Sequence, residues 1–178
     1  MTGILRFVGV ANAGVWLGSS IFFTLAVLPA LGSNDMAGVL GSKNFPYFSG
    51  AITQLLLVRY FHLQLACASI AALHLIVEWL YLGRSLRRVW TYLLVTLVWL
   101  AIIGSFVLAP KLRELHRSQY LLDAKPAQRE AAAKSYRRWH GVYQSLNLFL
   151  IAGVAVYFWR VTHPPDELRI VGSSKSRG

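Results

Sequence analysis

The sequence predicts an all-α membrane protein, a four-transmembrane-helix bundle built from two tandem helix hairpins. Three observations carry that prediction. Hydrophobic residues make up 56% of the 178-residue chain and charged residues only 14%, against roughly 45–50% and about 25% in soluble domains. The apolar residues are gathered into four stretches, each long enough to cross a bilayer, which takes about 20 residues. The two halves of the chain also repeat the same short landmarks in the same order.

The first stretch covers about residues 4–31. At its start only Arg6 precedes the long apolar run from Phe7 to Leu31. That run exceeds the roughly 7–15-residue core of a signal peptide, so the segment is expected to be a retained helix. The second stretch covers about 55–82, the third 89–109 and the fourth 140–161. Trp79, Tyr81, Trp90, Tyr92, Tyr157, Phe158 and Trp159 lie near their ends, as interfacial aromatic belts do. Apolar spans of this length are helical because lipid cannot satisfy backbone polar groups.

The connections differ in character. Residues 32–50 hold Gly, Ser, Asn and Pro46 and read as an irregular loop, re-entrant at Phe45–Pro46–Tyr47–Phe48. Residues 83–88 form a tight basic turn. Residues 111–139 are long and charged, with an Ala-rich part at 127–136 that extends helix four beyond the bilayer. The transmembrane domain thus spans 1–162, and 163–178 is a Pro- and Ser-rich flexible tail.

The net charge of +11 would suggest nucleic acid in a soluble protein. Here the basic residues lie between apolar runs, where anionic headgroups meet them, and no nucleic-acid-reading motif accompanies them. No nucleic acid is expected; the lipid bilayer is the principal partner, and a bacterial inner (plasma) membrane the expected location. Lys and Arg divide almost evenly, eight against ten, between the two sides, so the positive-inside rule gives no orientation.

The internal repeat is the most informative pattern. Helix one ends on Phe22–Phe23 and Pro29; helix three ends on Gly104–Ser105–Phe106 and Pro110. Each half then carries Arg-x-aromatic-His, as Arg59–Tyr60–Phe61–His62 and as Arg137–Arg138–Trp139–His140. Tandem hairpins of this kind are related by an axis along the membrane normal. That relation would set His62 and His140 at similar depth on partner helices.

The landmarks Gly14–Val15–Trp16–Leu17–Gly18, Phe22–Phe23, Pro29, Phe45–Pro46–Tyr47–Phe48, Trp139–His140–Gly141 and Asn147–Leu148 resemble the transmembrane-protein-205-like family. That family is similar in turn to the CopD-type copper-resistance membrane proteins. The resemblance covers about residues 4–160. It implies a four-helix membrane bundle and, through the CopD relatives, copper handling, although only Met1 and Met36 supply thioethers.

Ionisable and polar groups inside a span are costly and so are candidates for function. Facing imidazoles of His62 and His140 would ligate haem b or copper, with Arg59, Gln144 and Asn147 lining the cofactor; alternatively each His is interfacial. His140, Gln144 and Asn147 fall at i, i+4 and i+7, serving either as interhelical glue or as the wall of a polar cavity. His74 and Glu78, four apart, offer a second metal-ligand pair with a carboxylate behind the imidazole; the alternative is an interfacial hydrogen bond. Gly14-x-x-x-Gly18 permits close helix packing, within the bundle, in a homo-oligomer or against other membrane subunits.

No Ser–His–Asp arrangement, phosphate-binding Gly loop or carboxylate cluster is present, and Glu78 is the one acid within a span. No catalytic constellation is therefore expected. A metal- or haem-binding membrane protein is the leading expectation, and a non-catalytic accessory subunit of a larger membrane complex, contacting pigment or lipid, is its alternative.

Overall fold

A computed structural model describes residues 2–82, 88–121 and 123–163. The described residues are helical apart from short connections, and four helical rods are long and apolar enough to cross a membrane. Rod one comprises α1 (Thr2–Phe22), a π-helical turn (Phe23–Val27) and α2 (Leu28–Leu31). After a short α3 (Asn34–Leu40), rod two is the single helix α4 (Phe45–Leu82). Rod three comprises α5 (Arg88–Ile103), a second π-helical turn (Gly104–Leu108) and α6 (Ala109–Gln119). Rod four is α7 (Pro126–Thr162). Rods one and three each pack against both two and four, which closes a square in chain order.

Three sequence expectations change. Helix two starts at Phe45 rather than near residue 55, so 45–48 is its first turn and not a re-entrant loop. Pro46 is tolerated there because first-turn N–H groups have no intrahelical acceptor. Helix three does not end at Pro110 but runs on to Gln119. The loop expected over 111–139 is accordingly mostly helix, and α7 begins at Pro126. The basic turn at 83–88 apart from Arg88, and the tail after His163, lie outside the described residues.

The two π turns have one cause. Proline lacks an N–H and its ring clashes with the carbonyl four residues back. Just before each proline the chain widens by one residue: Leu28 N–H donates to Phe23 O, and Ala109 N–H donates to Gly104 O. A wider turn carries the helix past the proline instead of ending it. Because the turns are spaced as Pro29 and Pro110 are, the repeat seen in sequence is a repeat of backbone geometry.

Two apolar clusters fill the square. One joins Ala13, Trp16, Ala68, Leu97 and Val154 nearer the termini. The other joins Phe23, Leu57, Phe61, Leu108 and Tyr143 at the opposite end. Small residues at Ala13, Ala68, Ala71 and Ala101 are fully or almost fully covered, letting the rods approach closely. Outside, Leu25, Leu73, Trp99, Phe106 and Phe149 are exposed. An apolar surface of that extent calls for lipid as its solvent, and the protein is an integral membrane protein.

At 1.5 Å per residue the 37 residues of α7 and the 38 of α4 are each about 55 Å long, well beyond the roughly 30 Å hydrocarbon core. The charged N-terminal turns of α7, beside α6 and the start of α4, therefore project from one face of the membrane.

Candidate functional site

The interior holds a polar ladder that joins rods one, two and four. Trp16 Nε1–H donates to Gln64 Oε1, and Gln64 Nε2 donates to Ser20 Oγ over 2.8 Å. Ser20 and Thr24 each return a hydroxyl proton to the carbonyl one turn earlier, Trp16 O at 2.6 Å and Ser20 O at 2.7 Å. Asn147 then bridges two rods. Its Nδ2 donates to Thr24 Oγ1 over 2.7 Å and its Oδ1 accepts from the Tyr60 hydroxyl over 2.6 Å. Every side-chain polar atom of this ladder is met, as a low-dielectric interior demands. Asn147 thus links three rods, and it also lines the groove beside the ladder, so the two uses open to it from sequence coincide.

Next to this ladder a groove of about 640 Å³ opens between rods one, two and four. That volume lies within the range of small-molecule sites. Its polar wall includes Thr24, Ser49, Thr53, Tyr136, His140, Tyr143, Gln144 and Asn147, and its apolar wall includes Leu28, Pro29, Phe45 and Leu148. The π turn positions Thr24 and Leu28 on this wall, and the early start of α4 supplies Phe45 and Ser49. Among the described residues no charged side chain lines it.

His140 stacks on Tyr136 and tilts against Tyr143, with ring centroids 5.9 Å apart in both pairs. Among the described residues it makes no hydrogen bond. Tyr143 is 2% exposed, yet its hydroxyl has no partner among the described residues. Such a group costs about 1–3 kcal/mol when left unmatched. Gln144 is exposed at the groove mouth, so the stripe of His140, Gln144 and Asn147 runs from a half-buried ring through an open mouth to a buried amide.

The aromatic row continues toward the projecting end. Tyr136 lies 5.9 Å from His116, which lies 5.9 Å from Tyr47 and 5.1 Å from Tyr120. Both nitrogens of His116 are used: Nε2–H donates to Tyr47 O over 3.2 Å and Nδ1 accepts from Gln119 Nε2 over 3.1 Å. Burial raises the Tyr120 phenol above its ordinary value. A Cβ on Gly50 would overlap the His116 ring, so glycine is what admits it.

The other expected site residues lie elsewhere. His62 is exposed on the outer side of α4 while its neighbours Tyr60 and Phe61 are buried. It does not line the groove that His140 lines, because one helical step rotates a side chain by about 100°. Arg59 is likewise exposed and off the groove. His74 is buried, and its Nε2–H donates to Leu5 O over 2.9 Å, which commits that nitrogen to holding rods one and two together. Glu78 follows one helical turn later, but among the described residues no three His, Cys, Asp or Glu side chains gather as a metal site. Gly14 packs near Phe158, whereas a Cβ on Gly18 would have nothing within 4 Å among the described residues.

Sequence reasoning passed over Tyr60, Tyr136, Tyr143, Thr24 and Gln64. Gln64 carried a usable signal, a primary amide in an otherwise apolar run. The tyrosines carried none, since a phenol inside a span reads equally well as apolar bulk.

Residues 12–120, from the middle of α1 to just beyond α6, match a family described as a domain of unknown function, DUF4149. No curated protein and no solved structure matches the chain. With well over half its length in that match, the chain is a member of the DUF4149 family.

Proposed function

We propose that this protein is an integral-membrane binding protein that takes a neutral amphipathic molecule, its head rich in oxygen acceptors, into the groove at His140. The observation that carries the reading is the buried Tyr143 hydroxyl, without a partner among the described residues and set in a groove wall that also presents His140 and Gln144. The wall has donors but no charge, which favours a carbonyl or hydroxyl head over a phosphate or ammonium. Leu28, Pro29, Phe45 and Leu148 suit an attached apolar chain. Placement where the rods leave the bilayer gives such a molecule both of its solvents.

The test is retention. The full chain is purified in mild detergent, extracted with organic solvent, and the extract analysed by mass spectrometry for prenylated quinones, diacylglycerols and other neutral lipids. Wild type should carry one such species near stoichiometrically, and Tyr143→Phe should carry at least tenfold less. Equal retention by both defeats the proposal.

A haem held by His140 alone is a second reading, favoured by an imidazole that has no hydrogen bond among the described residues. A Soret band lost in His140→Ala would establish it. Copper of the CopD type fits the groove less well. One imidazole with no thiolate, thioether or carboxylate in the wall is a small donor set for that ion.

A further inference from the structure

A second groove, of about 500 Å³, lies on the other side of the square between rods two and three. Its position follows from the internal repeat. Thr24, Leu28, Pro29 and Gly32 line the first groove; Ser105, Ala109, Pro110 and Arg113, at the same interval along the chain, line the second. Each groove flanks a π turn and its proline. The repeat therefore builds two related clefts, and the residue one turn after the proline sets their difference: glycine in the first, arginine in the second.

Arg113 and Arg117 stand at i and i+4, on one face of α6. Both are exposed, and neither has an ion pair among the described residues. The acid between them, Glu114, is already engaged by Lys111, Nζ to Oε2 at 3.0 Å. Toward the membrane the same groove is walled by Val58, Phe106, Ala109 and Pro110. From Ser105 to Arg117 the helix rises about 18 Å, so one end of the cleft lies in hydrocarbon and the other reaches the headgroup layer.

We propose that this groove holds an anionic phospholipid, its phosphate forked between the Arg113 and Arg117 guanidiniums and an acyl chain along Phe106, Ala109 and Val58. Guanidinium pairs suit phosphate because their planar donors match its oxygens. The apolar floor commits the site to a lipid rather than to a free anion, which would have no use for it.

Delipidated full-length protein is titrated with phosphatidylglycerol, phosphatidylcholine and inorganic phosphate while native mass spectra and unfolding temperature are followed. Phosphatidylglycerol should bind at least tenfold tighter than phosphatidylcholine and raise the unfolding temperature, and phosphate should not displace it. The double variant R113Q/R117Q, altered at two exposed positions and so expected to fold, should lose that preference. The variant K134Q/R137Q removes the same charge from exposed sites on α7 and should keep it. Equal binding of the two lipids, displacement by phosphate, or equal loss in both variants overturns the proposal.

Discussion

His74 Nε2 lies 2.9 Å from the backbone oxygen of Leu5, and the space for its ring exists because residue 9 is glycine. A Cβ at Gly9 would stand 2.7 Å from that same nitrogen. Gly50 admits His116 to Tyr47 O in the same way at the opposite end of the bundle. Two buried histidines thus staple helix pairs to backbone carbonyls, each through a glycine notch.

Gly9→Ala should lower stability by about 1–3 kcal/mol, the usual cost of overpacking a filled contact. His74→Ala should cost a similar amount through the lost bond and cavity. In the double variant the alanine methyl enters space that the ring has left, so the two effects should fall well short of additive. Thermal unfolding in detergent, followed by tryptophan fluorescence, measures the cycle; strict additivity would show that the notch and the ring are unconnected.

Gly104→Ala should be among the most harmful glycine substitutions, because its Cβ would overlap the Phe61 ring inside the bundle. Gly18→Ala, with nothing within 4 Å of its Cβ, should be neutral or gain up to about 1 kcal/mol from helix propensity. Comparing unfolding temperatures of the two variants tests whether the second π turn packs on Phe61 as described. A destabilised Gly18→Ala would point instead to a packed Gly14–Gly18 face.

Asn147→Ala should cost about 1–3 kcal/mol. It removes two interhelical hydrogen bonds, each worth about 0.6 kcal/mol on average in a bilayer, and takes from the buried Tyr60 hydroxyl its Asn147 acceptor. Tyr60→Phe in the same background should recover part of the loss, since the hydroxyl that lost its acceptor is then gone. Chemical denaturation of the single and double variants measures both numbers.

The length of α7 predicts where water begins. With Cys67 replaced by serine, a cysteine introduced at Gln128 or Lys134 should react with a membrane-impermeant maleimide in intact vesicles of the appropriate sidedness. One at Leu148 or Phe149 should not. Labelling at Leu148 would mean that rod four sits at a different depth.

The number of spans, their helical character and the tandem repeat were legible because each rests on a local property, either the length of an apolar run or a landmark repeated along the chain. The prolines were legible too, but their consequence was not. Pro110 reads as a helix end, and whether a helix stops or widens depends on what the next residues can pack against. Leu112 and His116 are buried against neighbouring rods, which makes continuing through a π turn favourable. The start of α4 was missed for the same reason: Phe45, Pro46 and Ser49 read as loop chemistry, while Ser49 Oγ in fact donates to Leu31 O over 2.5 Å.

The candidate site divides along the same line. The sequence by itself determined a basic, four-span helical membrane protein with a duplicated hairpin, and it singled out His140, Gln144 and Asn147 as one stripe. Only the tertiary structure decided that His62 faces outward, that His74 is a staple, and that Tyr143, His140 and a π turn together wall a groove. Apolar length and periodicity are summed along one chain segment. The facing of a side chain depends on helix rotation, and that is set by the packing of all four rods at once.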